Sequence, residues 1–210
     1  MTDCCEDKAC AIDALRERQS STLKTVLGIN AVMFLVELVA GIISGSTALL
    51  SDSLDNLGDA LTYGLSLSAV SRGPRSKAKV ALFKGGLILA AGLFVLGQVA
   101  YKIVVPAVPA FETMGAISVL ALIANGTCLA LLWRHRQDDV NMSSVWECSR
   151  NDIASNIAVF AAAAGVWFTQ SAWPDLLIGT VLACLFVMSA FRVLRNGFAE
   201  LRNNAASTVF

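Results

Sequence analysis

Six apolar runs of about twenty residues, separated by short polar links, leave this chain few folds to choose from. A helix needs about 20 residues to cross a ~30 Å hydrocarbon core. The runs fall near 25–44, 47–70, 80–105, 113–133, 143–169 and 174–194 of a 210-residue chain. Only 15% of residues are charged, and the mean hydropathy of +0.64 is that of an integral membrane protein. Lipid satisfies no backbone polar group, so each run must bond its own backbone as a helix. The expected fold is therefore all-α, an integral membrane bundle of six transmembrane helices. Residues 1–24 read as a Cys-containing tail, 25–195 as the transmembrane domain and 196–210 as a short second tail. The polar, partly acidic 1–24 segment and the full spanning length of the first run argue against a cleaved signal peptide.

The net charge is zero, but the charges are not evenly placed. Lys8, Arg16, Arg18 and Lys24 precede the first run, and Arg72, Arg75, Lys77, Lys79 and Lys84 surround the link between the second and third. Arg134 and Arg136 follow the fourth run; Arg192, Arg195 and Arg202 end the chain. With six spans all of these regions share one side, and the opposite connections hold only Lys102. Basic residues stay on the cytoplasmic side, so both termini are expected there. Six cysteines do not form a disulfide framework in this pattern, because Cys128, Cys148 and Cys184 lie inside apolar runs and Cys4, Cys5 and Cys10 crowd one tail.

The second run is apolar yet contains Asp52, Asp55 and Asp59. Each ionised Asp near a bilayer centre costs about 2.5–3.5 kcal/mol on insertion scales, which implies a water-lined or cation-filled interior. Asp55 and Asp59 are spaced i, i+4 and so stack on one helical face. The fifth run repeats the spacing with Cys148 and Asp152. In the expected topology both pairs lie roughly 8–20 Å inside the membrane at ~1.5 Å per residue, and they can face each other. Three carboxylates and a thiolate make a mixed hard and soft four-ligand set suited to zinc or cadmium. The plainer alternative is that these acids only hydrogen-bond helix to helix.

These residues resemble the cation diffusion facilitator family, which exchanges cytoplasmic divalent metal for protons. The resemblance spans nearly all of residues 25–203. Its marks are Asn30 through Glu37 and Gly41 into Ser44-Gly-Ser-Thr-Ala-Leu, then Asp52, the pair Asp55 and Asp59, the pair Cys148 and Asp152 followed by Asn156, and the Asp175 to Gly179 start of the sixth span. The resemblance implies a proton-coupled antiporter exporting zinc- or cadmium-like cations, with Asp55, Asp59, Cys148 and Asp152 as metal ligands. Glu37, Asp52 and Asn156 become supporting hydrogen-bond partners or proton carriers. It implies transport without catalytic residues or a cofactor: the metal is cargo, and the partners are metal ions, protons and membrane lipid, with no nucleic acid. A bacterial inner-membrane location and a homodimer formed through the helices are expected.

This sequence departs from the family pattern in three ways. Family members commonly have His at a first-ligand position, where this chain has Asp55 and Cys148; a thiolate favours softer ions such as cadmium, lead or mercury. The cytoplasmic ferredoxin-like domain usual after the sixth span does not follow here, so a short family member is expected. The His-rich stretch often found between spans four and five is reduced to His135. Cys4, Cys5 and Cys10 offer a substitute collecting site for soft metal. That tail also defines the main rival reading, a membrane-anchored metal sensor or chaperone. An intramembrane metallohydrolase would need a general base and an oxyanion donor beside the metal, and the spans offer no histidine for it.

Overall fold

The computed structural model describes the backbone of residues 3–68, 74–133 and 140–206, and side chains chiefly within 21–64, 82–133 and 152–202. The six expected helices are present: α1 (Asp3–Ser44), α2 (Thr47–Ser68), α3 (Pro74–Val104), α4 (Phe111–Trp133), α5 (Val140–Thr169) and α6 (Trp173–Ala206). Helix α1 continues back through most of the expected tail. Pro74 opens α3, where its missing N–H costs nothing.

The exposed surface and the interior have exchanged their usual characters. Val32, Leu35, Val39, Ile42, Phe94, Ile123, Trp167, Phe168 and Leu177 are exposed, while Asn30, Glu37, Asp52, Asn56, Asn125, Asp152 and Asn156 are buried. The apolar exterior is what lipid requires, and the buried polar groups sit among apolar clusters in the interior. Among the described residues, parts of α1, α3, α4, α5 and α6 are long and apolar enough to cross a membrane. The second helix is not in that group, since Asp52, Asp55 and Asp59 depress its hydropathy. It is instead screened from lipid by α1, α3, α5 and α6, which all pack on it. The protein is an integral membrane helical bundle.

The connections α1–α2, α3–α4 and α5–α6 meet at one end. Gly45, at φ 68°, ends α1, and the Ser46 N–H donates to the Gly41 carbonyl at 3.0 Å, closing the turn a left-handed glycine allows. The Ala110 N–H donates to Ser44 O at 3.0 Å, tying the α3–α4 connection to the same turn. Lys102 donates to the Gly45 carbonyl. The first N–H groups of α2 have no intrahelical acceptor, and two side chains supply them. Ser46 Oγ accepts from Leu49 N at 3.0 Å, while Asp175 of α6 accepts from Thr47 N at 2.8 Å and Ala48 N at 3.0 Å. The Thr47 and Ser46 hydroxyls also donate to Asp175. α6 comes this close because residue 179 is glycine: a Cβ there would stand 2.7 Å from Thr47 Oγ1.

Candidate metal centre

One helical turn separates Asp55 and Asp59 on α2, and α5 brings Asp152 against them. One carboxylate oxygen from each of the three lies within 4.8 Å of the other two. Asp59 and Asp152 are buried and Asp55 is half-buried. The three line a cavity of about 250 Å³, walled also by Gly58, by Lys84 and Ile88 of α3, and by Phe186, Ser189, Ala190 and Val193 of α6. Ionised oxygens this close repel by roughly 3–4 kcal/mol per pair at an effective dielectric of about 20. A shared cation, or protons, removes that repulsion. The oxygens are near enough for one zinc-sized ion to reach all three after small side-chain adjustments.

Two hydroxyls hold the acids in place. Tyr63, one further turn along α2, donates to Asp59 Oδ2. Its ring is fully buried against Val26 of α1 and Cys128 and Leu132 of α4, so its hydroxyl has a fixed direction. Ser155 Oγ of α5 donates to Asp55 Oδ2 at 3.4 Å, reaching across the two ligand-bearing helices.

The residues expected around this cluster take separate places. Asn156 donates to the Asp152 backbone carbonyl at 2.6 Å, so it holds the backbone of α5. Glu37 of α1 is fully buried and accepts from Asn56 Nδ2 at 2.7 Å; its Oε1 has no hydrogen-bond partner among the described residues. Asp52 is also fully buried, and neither of its oxygens has such a partner. Neither belongs to the group of three clustered oxygens. The side chains of Cys148 and of Cys4, Cys5 and Cys10 lie outside the described residues, although their backbones belong to α5 and α1. Cys128 Sγ accepts from Asn30 Nδ2 at 3.8 Å and packs with Tyr63, Val26 and Leu132; it is not one of the three clustered ligand residues.

Sequence reasoning missed Tyr63, Ser155, Asn56 and the cavity position of Lys84. Tyr63 continues the i, i+4 ladder of Asp55 and Asp59 and was open to detection by that spacing. Lys84 lies inside the third apolar run, yet it counted only toward orientation. Ser155 and Asn56 gave no signal, because their partners are set by how the helices pack.

A family model described as the cation efflux transmembrane domain matches residues 23–202. The metal cation efflux system protein CzcD of Cupriavidus metallidurans is 25% identical over 194 residues, covering 86% of this chain and 61% of CzcD. The zinc transporter ZitB of Escherichia coli is 27% identical over 202 residues, covering 90% of this chain and 64% of ZitB. ZitB of Pectobacterium atrosepticum is 24% identical over 201 residues, covering 90% of this chain and 63% of its own length. The chain thus spans less than two thirds of the length of these relatives. With the match running through all six helices, this chain belongs to the cation efflux family.

Proposed function

We propose that the chain exports divalent transition or heavy-metal cations, zinc- or cadmium-like, from the cytoplasm in exchange for protons, with Asp55, Asp59, Cys148 and Asp152 as the ligands. The observation that carries this reading is the convergence of three carboxylate oxygens within 4.8 Å inside a bundle with an apolar exterior. Family membership and the names of the metal cation efflux protein CzcD and the zinc transporter ZitB agree with it. Exchange follows from the donor chemistry: a thiol must lose its proton to ligate, and a carboxyl oxygen that holds a proton cannot share a metal. A site exposed alternately to two compartments then moves metal one way and protons the other.

Glu37 and Asp52 belong to this reading as proton carriers. Buried carboxyl oxygens without donors are tolerated where a proton or a cation occupies them, and both residues have such oxygens. The protein would sit in a bacterial inner membrane with both termini cytoplasmic, and pair with a second copy through its helices.

Cadmium uptake into liposomes holding the purified chain, with a pH dye trapped inside, tests the exchange. Cadmium entry should raise lumenal pH, and an acidic lumen should speed entry. Robust uptake with a flat dye signal, unaffected by collapse of the gradient, would leave a channel or uniporter and overturn the antiport.

A further inference from the structure

Among the described residues that line the cavity holding Asp55, Asp59 and Asp152, Lys84 is the basic one. A lysine near the end of a membrane helix ordinarily extends its stem toward the headgroups. The faces of α3 argue against that orientation here. Phe83 and Leu87 are on the exposed side, 71% and 39% accessible, whereas Ile88, one turn beyond Lys84, is buried and lines the same cavity. Lys84 is half-buried on that inner face. Lys84 and Asp59 line the same cavity of about 250 Å³, which places the amine and the carboxylate around one space.

We propose that the Lys84 ammonium is the resident cation of the metal-free site, supplying one of the positive charges that the Asp55, Asp59 and Asp152 cluster needs beside bound protons when no divalent ion is present, and displaced when one arrives. The inference rests on the reading of that cluster as a transported-metal site and gives the same site a further functional residue. Three mutually close carboxylates need positive charge in every step of a transport cycle, including the step without metal. A tethered ammonium supplies one charge there without leaving the protein. It also sets a threshold, because an ion must outcompete an amine already in place. Competition for the same oxygens is reciprocal: what Lys84 subtracts from metal affinity, metal subtracts from Lys84's hold on the acids.

The experiment compares wild type, Lys84→Gln and Lys84→Arg, each as the full chain in liposomes, using cadmium ions. Lys84→Gln should bind cadmium roughly tenfold more tightly, since a like charge is gone from the site. It should keep cadmium–cadmium exchange, which never requires an empty carrier to cross, while net uptake falls about fivefold or more if returning the empty site is costly. Lys84→Arg should restore net uptake. In wild type, acetylation of Lys84 followed by mass spectrometry should quicken when cadmium is added, because the ammonium is released. That measurement requires no variant to fold. Unchanged or weaker cadmium binding by Lys84→Gln, exchange and net uptake falling in step, or acetylation unaltered or slowed by cadmium would each overturn the role of Lys84. A wild type that neither binds nor takes up cadmium overturns the metal-site reading as well, so the two failures are distinguishable.

Discussion

Asp59 shares the acid cluster with Asp55 and Asp152 and also accepts from Tyr63. Asp59→Ala and Asp152→Ala should each reduce cadmium uptake by more than about 100-fold, because losing even a supporting partner costs about 10–100-fold at metal sites. Uptake by either variant at wild-type rates would remove the cluster from the transport path. Tyr63→Phe keeps the ring among Val26, Cys128 and Leu132 but deletes the donor. A hydrogen bond worth about 1 kcal/mol predicts a roughly fivefold rise in the cadmium concentration for half-maximal uptake. An unaltered value would make Tyr63 a packing residue only. Cys148 tests the soft-donor proposal. Cys148→His should shift preference from cadmium toward zinc, and Cys148→Ser should weaken both, cadmium more. A cadmium-to-zinc ratio in competitive uptake that stays constant across the three proteins excludes the thiolate as a ligand. Asp55, Asp59 and Asp152 were legible in the sequence because helix geometry alone stacks i and i+4, and intramembrane acids are rare enough to stand out. Lys84 and Ser155 were not, since a helix period does not say which neighbour a face will meet.

Among the helices, α2 departs furthest from what hydropathy recognises, and its stability therefore depends on neighbours. Ser46 and Asp175 cap its first turn, Asp175 acting from α6 through the Thr47 and Ala48 N–H groups and the Ser46 and Thr47 hydroxyls. Asp175→Ala should destabilise the protein by about 2–3 kcal/mol, as charged hydrogen bonds and a buried cap are lost together. Asp175→Asn, which retains an accepting oxygen, should cost less. Equilibrium unfolding in mixed detergent micelles measures both, and equal losses would show that the cap is not what Asp175 provides. α3 and α6 pack by a different device. A Cβ at residue 92 would lie 2.8 Å from Val187 Cγ2, whereas one at residue 86 meets nothing within 4 Å. Gly92→Val should destabilise by about 1–3 kcal/mol through overpacking, with Gly86→Val as the mild control. Although α1, α3 and α6 run on past the apolar runs to Asp3, Pro74 and Ala206, through residues that hydropathy reads as links and tails, the end of α1 at Gly45 and the ends of α4 and α5 were readable from those runs. The cap on α2 was not, because its acceptor comes from a residue about 130 positions away, and the family resemblance of Asp175 to Gly179 marked its place without its purpose.

At the scale of the molecule, two independent features bear on the proposed direction of transport. The first is the basic side, drawn from Lys and Arg placement. The second is the structure of the opposite end, where the Gly45 turn, Asp175, Lys102 and the 105–110 connection are knitted together by hydrogen bonds. The cavity with the three acids is lined on α3 and α6 by Lys84, Ile88, Ser189 and Val193. On α3 these positions lie toward the Pro74 end, and on α6 toward Ala206, which are the ends that meet the basic side. Among the described residues, the end where basic residues are scarce is tied together by hydrogen bonds, and the α3 wall of the acid cavity lies in the half of that helix nearer Pro74. Under the proposed export, that cavity would receive metal from the cytoplasm. If this is the orientation, Ala107→Cys in the α3–α4 connection should react in intact cells with a membrane-impermeant maleimide, whereas Ser76→Cys near the start of α3 should react only after the membrane is opened. Native cysteines are controlled by the parent protein labelled in parallel. The reverse pattern would invert the protein and make the same cavity a receiver of metal from outside, turning export into import while leaving the acid cluster and its ligand chemistry unchanged.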